Sequence, residues 1–295
     1  MLKVRLASAA VLTPIVLSIF ILGPAWLVMV FLAFTLAINM SEVLGMLLPA
    51  SDRFFGAENP EELKFTIKNW DIKSHWIYVF SISLGVLCYF TILLDDKKAA
   101  GYTTILLAVI ASIVVGMFST RTVQLAAGRA IAMCVALLYG ALPFVSIWYV
   151  YEFETNARYV LLIMFITWLG DTGGYFGGRF LGGKIFGDRK LAPHISPKKT
   201  WEGAVFSLAS SVGGAFLLNS FYERPLAGPV LLVFIAVLGG VAAQIGDLAA
   251  STFKRFSQVK DSGFIIPGHG GLLDRIDGIL FSAPVIWAIL YYLKL

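Results

Sequence analysis

The sequence predicts an all-α bundle of about nine membrane-spanning helices. Three observations carry this. Hydrophobic residues make up 58% of the 295 positions and charged residues only 14%, against roughly 45–50% apolar in ordinary soluble domains. Apolar runs close to the ~20 residues that cross a bilayer recur along the chain. The lysines and arginines fall mostly in alternate connections, as a chain threaded back and forth through a membrane requires.

Spans are expected at 6–22, 25–48, 76–94, 101–118, 127–150, 159–178, 204–221, 228–250 and 279–294. Lys3 and Arg5 precede the first. The small residues Ala7 to Ala10 stand ahead of the apolar run rather than behind it, so this segment is expected as a retained helix, not a cleaved signal peptide. Gly23-Pro24 marks a tight turn into the second span. The first long polar stretch, 51–75, contains Asn59-Pro60-Glu61-Glu62, which reads as a helix start: a cap, proline at the first position and acids in the first turn. No internal repeat breaks the chain, and residues 1–295 are expected to form a single membrane-embedded domain.

Nine spans put the termini on opposite sides. Eighteen of the 23 basic residues then fall on the side of the N-terminus, and five on the other: Lys97, Lys98, Arg158, Arg224 and Lys294. Basic connections stay in the cytoplasm, which predicts a multi-pass protein of the inner (cytoplasmic) membrane with its N-terminus inside and its C-terminus outside. The net charge of +5 thus reflects topology and anionic substrates, and nucleic acid is not expected as a partner. Cys88 and Cys134 lie within apolar runs, and neither a disulfide framework nor zinc spacing is present.

Ionisable groups inside spans are costly and are functional candidates by default. Glu42, Asp171 and Asp247 are three, each toward the cytoplasmic end of its span. A snorkelling side chain or a helix–helix hydrogen bond is the competing reading, most of all for Glu42. Asp171 opens "DTGGYFGGRFLGGKIFG", where glycines serve either a close phosphate or close helix packing. Gly178, Gly183 and Lys184 mimic a phosphate loop, but Ile185 stands where Ser or Thr is needed and no strand is expected before it, so that reading is rejected.

In "HISPKKTWEG", residues 194–203, Ser196 is expected to cap a helix starting at Pro197. Lys198, Lys199 and Thr200 would then sit in its first turns, beside N–H groups that face an anion. Contact with lipid headgroups competes for both lysines. Asp247, Ser251 and Lys254, spaced i, i+4 and i+7, share a helix face. Asp274 and Asp277, spaced i and i+3, share another. Paired acids joined by Asp247 or Asp261 suit a hard divalent cation completed by water and phosphate oxygens. His75 reads as interfacial, His194 is ambiguous, and His269, between Gly268 and Gly270, either contacts a phosphate or holds its loop.

The run "STFKRFSQVKDSGFIIPGHGGLLDRIDG", from Ser251, closely resembles the signature of the phosphatidate cytidylyltransferases, or CDP-diacylglycerol synthases. Ser251, Lys254, Arg255, Lys260, Asp261, Pro267 to Gly271, Asp274, Arg275 and Asp277 all match its fixed positions. "GDTGGYFGG" and "SPKKTWEG" look like the family's other common stretches, although Lys198 stands where a glycine is frequent. Residues 1–150 resemble the family mainly in span pattern and Glu42, so 151–295 is the catalytic half.

The resemblance implies transfer of CMP from CTP to phosphatidate, giving CDP-diacylglycerol and pyrophosphate, with Mg2+ required and a second cation allowed. It implies membrane lipid as a partner and is compatible with a homodimer. Asp247, Asp261, Asp274 and Asp277 become the metal-ligand pool. Lys199, Lys254, Arg255 and Lys260 would hold phosphates, with Lys198, Thr200, Ser251, Gly268, Gly270 and Gly271 lining the substrates and His269 and Arg275 beside them. Asp171 would organise the metal site or orient a ligand. A cation transporter shares broken, glycine-rich helices, but the acids cluster to one side. A CDP-alcohol phosphotransferase is excluded, because Asp277-Gly278 is followed by Ile-Leu-Phe-Ser.

Overall fold

The computed structural model describes residues 2–55, 72–94, 99–120, 122–153, 157–187, 189–266, 268 and 270–293. The chain is an all-α polytopic membrane protein. Its helices are α1 (Leu2–Leu22), α2 (Ala25–Phe54), α3 (Ile72–Leu93), α4 (Ala99–Phe118), α5 (Val123–Val135), α6 (Leu142–Phe153), α7 (Arg158–Leu181), α8 (Trp201–Asn219), α9 (Pro229–Phe256) and α10 (Leu273–Leu293). A π-turn, Ala136–Ala141, fuses α5 and α6 into one rod, so each expected span has its helix. Seven rods among the described residues are long and apolar enough to cross a bilayer; the described apolar parts of α1 and α4 are shorter. The helix start expected at 59–62 lies outside the described residues.

The chain divides into two compact units. The first comprises Met1–Ile15, Gly23–Val145 and Phe253–Asp274; the second comprises Val16–Leu22, Ser146–Thr252 and Arg275–Leu295. In the first, Leu36, Met40 and Leu44 of α2 are fully buried, as are Met133 of α5 and Leu137 of the π-turn. The π-turn widens the helix and frees carbonyls that lipid cannot solvate. The buried Asn39 answers one of them, its amide donating to the Gly140 carbonyl at 2.9 Å. Arg129 of α5 holds the buried Asp52 of α2 through two bonds of 2.9 and 2.8 Å, and donates a third to the Ser119 carbonyl.

In the second unit, α7 and α8 pack along most of their length. Glycine decides how close they come. A Cβ on Gly177 would lie 2.5 Å from the Phe206 Cβ, and one on Gly173 2.9 Å from the Phe206 carbonyl. Ser211 of α8 donates across the seam to the Ile166 carbonyl at 2.8 Å. Gly170, Gly173, Gly174 and Gly177 therefore serve close helix packing.

One expectation is corrected. Residues 196–200 are not the start of a helix but strand β2 (Ser196–Thr200), antiparallel to β1 (Lys190–Ala192). Helix α8 starts later, at Trp201. Its cap is Thr200, whose hydroxyl accepts the Gly203 N–H at 3.1 Å. Proline at 197 suits a short two-stranded hairpin, since Ser196, ahead of it, is biased to extended backbone.

Candidate functional site

Within the first unit, the segment from Lys254 to Asp274 is folded around two carboxylates. Helix α9 ends at Phe256, with Lys254 and Arg255 in its last turn, where cations meet the negative end of the helix dipole. The chain then turns back on itself. The Ile266 N–H donates to the Gly270 carbonyl at 3.0 Å, closing a tight loop around Gly268 and Gly270, which have φ of 75° and 83°. Only glycine takes that conformation without strain. Pro267 and His269 lie outside the described residues.

Asp274, in the first turn of α10, gathers this loop. Its Oδ2 accepts the N–H of Gly271 at 3.1 Å, the N–H of Ser262 at 2.8 Å and the Ser262 hydroxyl at 3.1 Å. Its Oδ1 takes the Lys254 ammonium at 2.6 Å. Lys254 thus crosses from α9 to α10. Arg255, Lys260 and Asp261 are exposed, with Asp261 packed beside Gly270.

Glu42 is the second carboxylate, and its partners could not be read from the sequence. It is buried on α2. Its Oε1 accepts the Leu272 N–H at 2.8 Å; its Oε2 accepts the Leu273 N–H at 2.9 Å and the Ser262 hydroxyl at 2.9 Å. It satisfies the first N–H groups of α10, which a helix cannot pair internally. Gly263 and Gly271 lie against it: a Cβ at 263 would stand 2.6 Å from Oε1, and one at 271 would overlap Oε2 and the Ser262 hydroxyl. Ser262 was not singled out from the sequence either, although it directly follows Asp261.

The second unit holds a separate set. Strand alternation leaves Lys198 exposed and turns Lys199 inward. There its ammonium pairs with Asp247 Oδ2 at 2.6 Å. The Ser251 hydroxyl, one turn on along α9, approaches Asp247 Oδ1 at 3.4 Å. Asp171 of α7 lies within electrostatic reach of Asp247, Lys199 and Arg275. Beside Asp247, α9 touches α10: a Cβ on Gly246 would overlap the backbone carbonyl of Asp277. The expected groups Asp171, Lys199, Asp247, Ser251, Arg275 and Asp277 are therefore brought to one region of this unit.

Thr200 is buried as the cap of α8. Next to it, the buried Glu202 uses Oε1 to accept the N–H groups of Gly183, Ile185 and Phe186 at 3.1, 3.3 and 2.9 Å. The loop that resembles a phosphate loop thus wraps an internal carboxylate. An acid in the first turn of α8, preceded by Thr200, was the sequence signal for this anchor.

A hard cation fits the region around Asp247. Asp247 and Asp171 offer carboxylate oxygens close to a position that already holds an ammonium, and Mg2+ is commonly held by one or two carboxylates with substrate phosphates completing its shell. Asp274 fits less well, since both its oxygens are engaged. No group of three or more His, Cys, Asp or Glu side chains is placed to hold an ion by itself among the described residues.

The sequence profile described as the cytidylyltransferase family matches residues 3–293. Curated relatives carry the name phosphatidate cytidylyltransferase. That of Brucella suis biovar 1 (strain 1330) is 39% identical over 156 residues, covering 53% of this chain and 51% of its own. That of Staphylococcus saprophyticus is 40% identical over 149 residues, 50% of this chain and 55% of its own. That of Haemophilus influenzae is 41% identical over 133 residues, 44% of each. The chain spans about half the length of the curated relatives it matches.

Proposed function

The chain belongs to the cytidylyltransferase family, and from that premise we propose that it is a phosphatidate cytidylyltransferase. It would join CTP and phosphatidate into CDP-diacylglycerol and release pyrophosphate, a step of phospholipid biosynthesis. The observation that carries the reading is the folded signature: Lys254, Asp274 and Ser262 held in one hydrogen-bonded knot with Glu42 beneath them.

In the reaction an oxygen of the lipid phosphate attacks the α-phosphorus of CTP. A P–O bond forms there, the bond to the β-phosphate oxygen breaks, and the electron pair leaves with pyrophosphate. Both reactants are polyanions, so the protein must neutralise and align them; positioning and electrostatics supply the rate, without a protein nucleophile. Lys199 is the cation for phosphates in the second unit, with Arg275 beside it. Lys254 is set in place by Asp274, and the exposed Arg255 and Lys260 are further cations of the signature for the phosphates. Mg2+, when bound, would offset charge on the phosphates and favour departure of pyrophosphate. Asp247 is the first choice to hold it, with Asp171 next, and Asp261 and Asp277 complete the candidate acids. Asp274 acts first as the organiser of its loop.

CTP is aqueous and the acyl chains stay in lipid, so this chemistry belongs at a membrane boundary. The bias of basic residues supports the cytoplasmic face of the inner membrane, with the N-terminus inside and the C-terminus outside. The test is a purified full-length chain in detergent with Mg2+, labelled CTP and a panel of lipid phosphates. CDP-diacylglycerol with stoichiometric pyrophosphate is expected. Turnover of an isoprenoid or ether-lipid phosphate in place of phosphatidate would replace the substrate, and no transfer to any of them would overturn the activity.

A further inference from the structure

A cavity of about 520 Å³ opens in the second unit where α7 begins and α8 has ended. It lies at the end of α7 away from Asp171, which is thirteen residues further on, about 20 Å along a helix. It belongs to none of the groups assigned above. Its chemistry is divided. Three lining residues are apolar: Leu161 is buried, while Ile21 and Phe221 are 52% and 71% exposed. The lining also carries two arginines and an acid, Arg158, Arg224 and Glu223.

Arg158 is fixed. Its guanidinium lies 4.3 Å from the centre of the Tyr222 ring and donates to the Arg224 carbonyl. The connection after α8 is held too, by Tyr159 donating to the Leu226 carbonyl and by Asn219 accepting the Leu226 N–H, both at 2.7 Å. Arg158 is also the first residue of α7, so the positive end of that helix dipole adds to its charge. Guanidinium pairs suit phosphate oxygens, and Glu223 beside them suits an ammonium. The exposed apolar side chains Ile21 and Phe221, with Tyr222 in the same lining, suit acyl chains at the headgroup boundary of a bilayer.

We propose that this cavity binds a membrane phospholipid with an amine headgroup, its phosphate on Arg158 and Arg224, its ammonium on Glu223, and its acyl chain along Ile21, Leu161 and Phe221. The site sits at the opposite end of α7 from the acid–lysine set and takes no part in the proposed transfer. It is a lipid-holding site on the far leaflet.

The test uses the full chain with benzoylphenylalanine in place of Phe221, reconstituted in vesicles of equal parts phosphatidylethanolamine and phosphatidylglycerol. After irradiation the crosslinked lipids are identified by mass. Phosphatidylethanolamine is expected in several-fold excess over phosphatidylglycerol. Arg224→Gln should lower total lipid crosslinking about fivefold, the weight of one basic side chain at a lipid surface. Glu223→Gln should turn the preference toward phosphatidylglycerol. Crosslinks that follow the lipid ratio in the parent and both variants alike would overturn the site. Loss of crosslinking on adding excess inorganic phosphate would assign it to a free anion instead. Because the readout is a crosslink, a chain that failed the cytidylyl-transfer assay would still give a clear answer here.

Discussion

The Glu42 carboxylate accepts the backbone N–H of Leu273 at 2.9 Å across 231 residues of sequence. The same group holds Leu272 and Ser262, so a side chain of the second helix shapes the loop that carries the family signature. Gly263 lies directly against it. Glu42→Gln should turn an amide donor toward backbone donors and lower stability by about 1–3 kcal/mol. Gly263→Ala should destabilise the parent, yet have little effect in a Glu42→Ala background where the obstructing carboxylate is gone. Thermal unfolding of the single and double variants checks this, and strictly additive losses would refute the contact.

Lys198 and Lys199 separate by strand geometry. Lys199 turns inward to Asp247 at 2.6 Å, while Lys198 is exposed. Lys199→Ala should lower kcat/KM for CTP by about 10- to 100-fold, the weight of a charged hydrogen bond of ~1.5–3 kcal/mol. Lys198→Ala should leave it within about twofold. Equal losses in the two variants would mean that both act only through surface charge.

Arg129 and Asp52 form a bidentate pair whose side chains are 20% and 8% exposed. Neither belongs to the signature. Arg129→Ala leaves a buried carboxylate without its cation and should cost about 3–5 kcal/mol of stability. Activity per folded molecule should stay at the parent level. Replacing both residues with apolar ones of similar size should recover much of the loss in a denaturation experiment.

Much of this architecture was legible because lipid imposes a single rule: apolar runs of sufficient length form helices. Span positions and the Gly23-Pro24 break followed, and the signature was legible separately, as a resemblance to a known family. The start of α8 did not. Ser196-Pro197 and Thr200-Trp201 both carry cap chemistry, and only packing of the β1–β2 hairpin selects the second. The glycines after Asp171 were ambiguous between phosphate and packing until α8 was placed against them. Glu42 and Arg129 were illegible as anchors because each finds its partner by tertiary approach, 231 residues away for Leu273 on Glu42 and 77 for Asp52 on Arg129.

Topology gives a check that is independent of chemistry. Arg189 precedes α8 and Arg224 follows it. Single cysteines introduced at the two positions, in a chain lacking Cys88 and Cys134, should react with an impermeant thiol reagent from opposite faces of the membrane, Arg189 from the cytoplasmic one. Labelling of both from the same face would remove α8 from the set of spanning helices.

Asp274 and Asp277 stand one turn apart on α10 and should fail in different ways. Asp274 has both oxygens engaged: Lys254 on one, and Gly271 and Ser262 on the other. Its neutralisation removes a half-buried ion pair and loosens the loop. Asp274→Asn should therefore lower thermal stability by several kcal/mol, while the Mg2+ dependence of the remaining active protein stays as it was. Asp277 accepts the N–H of its own neighbour Gly278 at 2.8 Å, and its backbone abuts Gly246, next to Asp247. If it contributes to cation binding with Asp247, Asp277→Asn should leave unfolding unchanged and raise the Mg2+ concentration for half-maximal activity by about tenfold, since ~1.4 kcal/mol of lost attraction for a hard cation is a factor of ten. A Mg2+ titration of both purified variants decides the assignment. An unaltered curve for Asp277→Asn together with a lowered unfolding temperature would place Asp277 with Asp274, as a support of the helix start rather than a ligand of the ion.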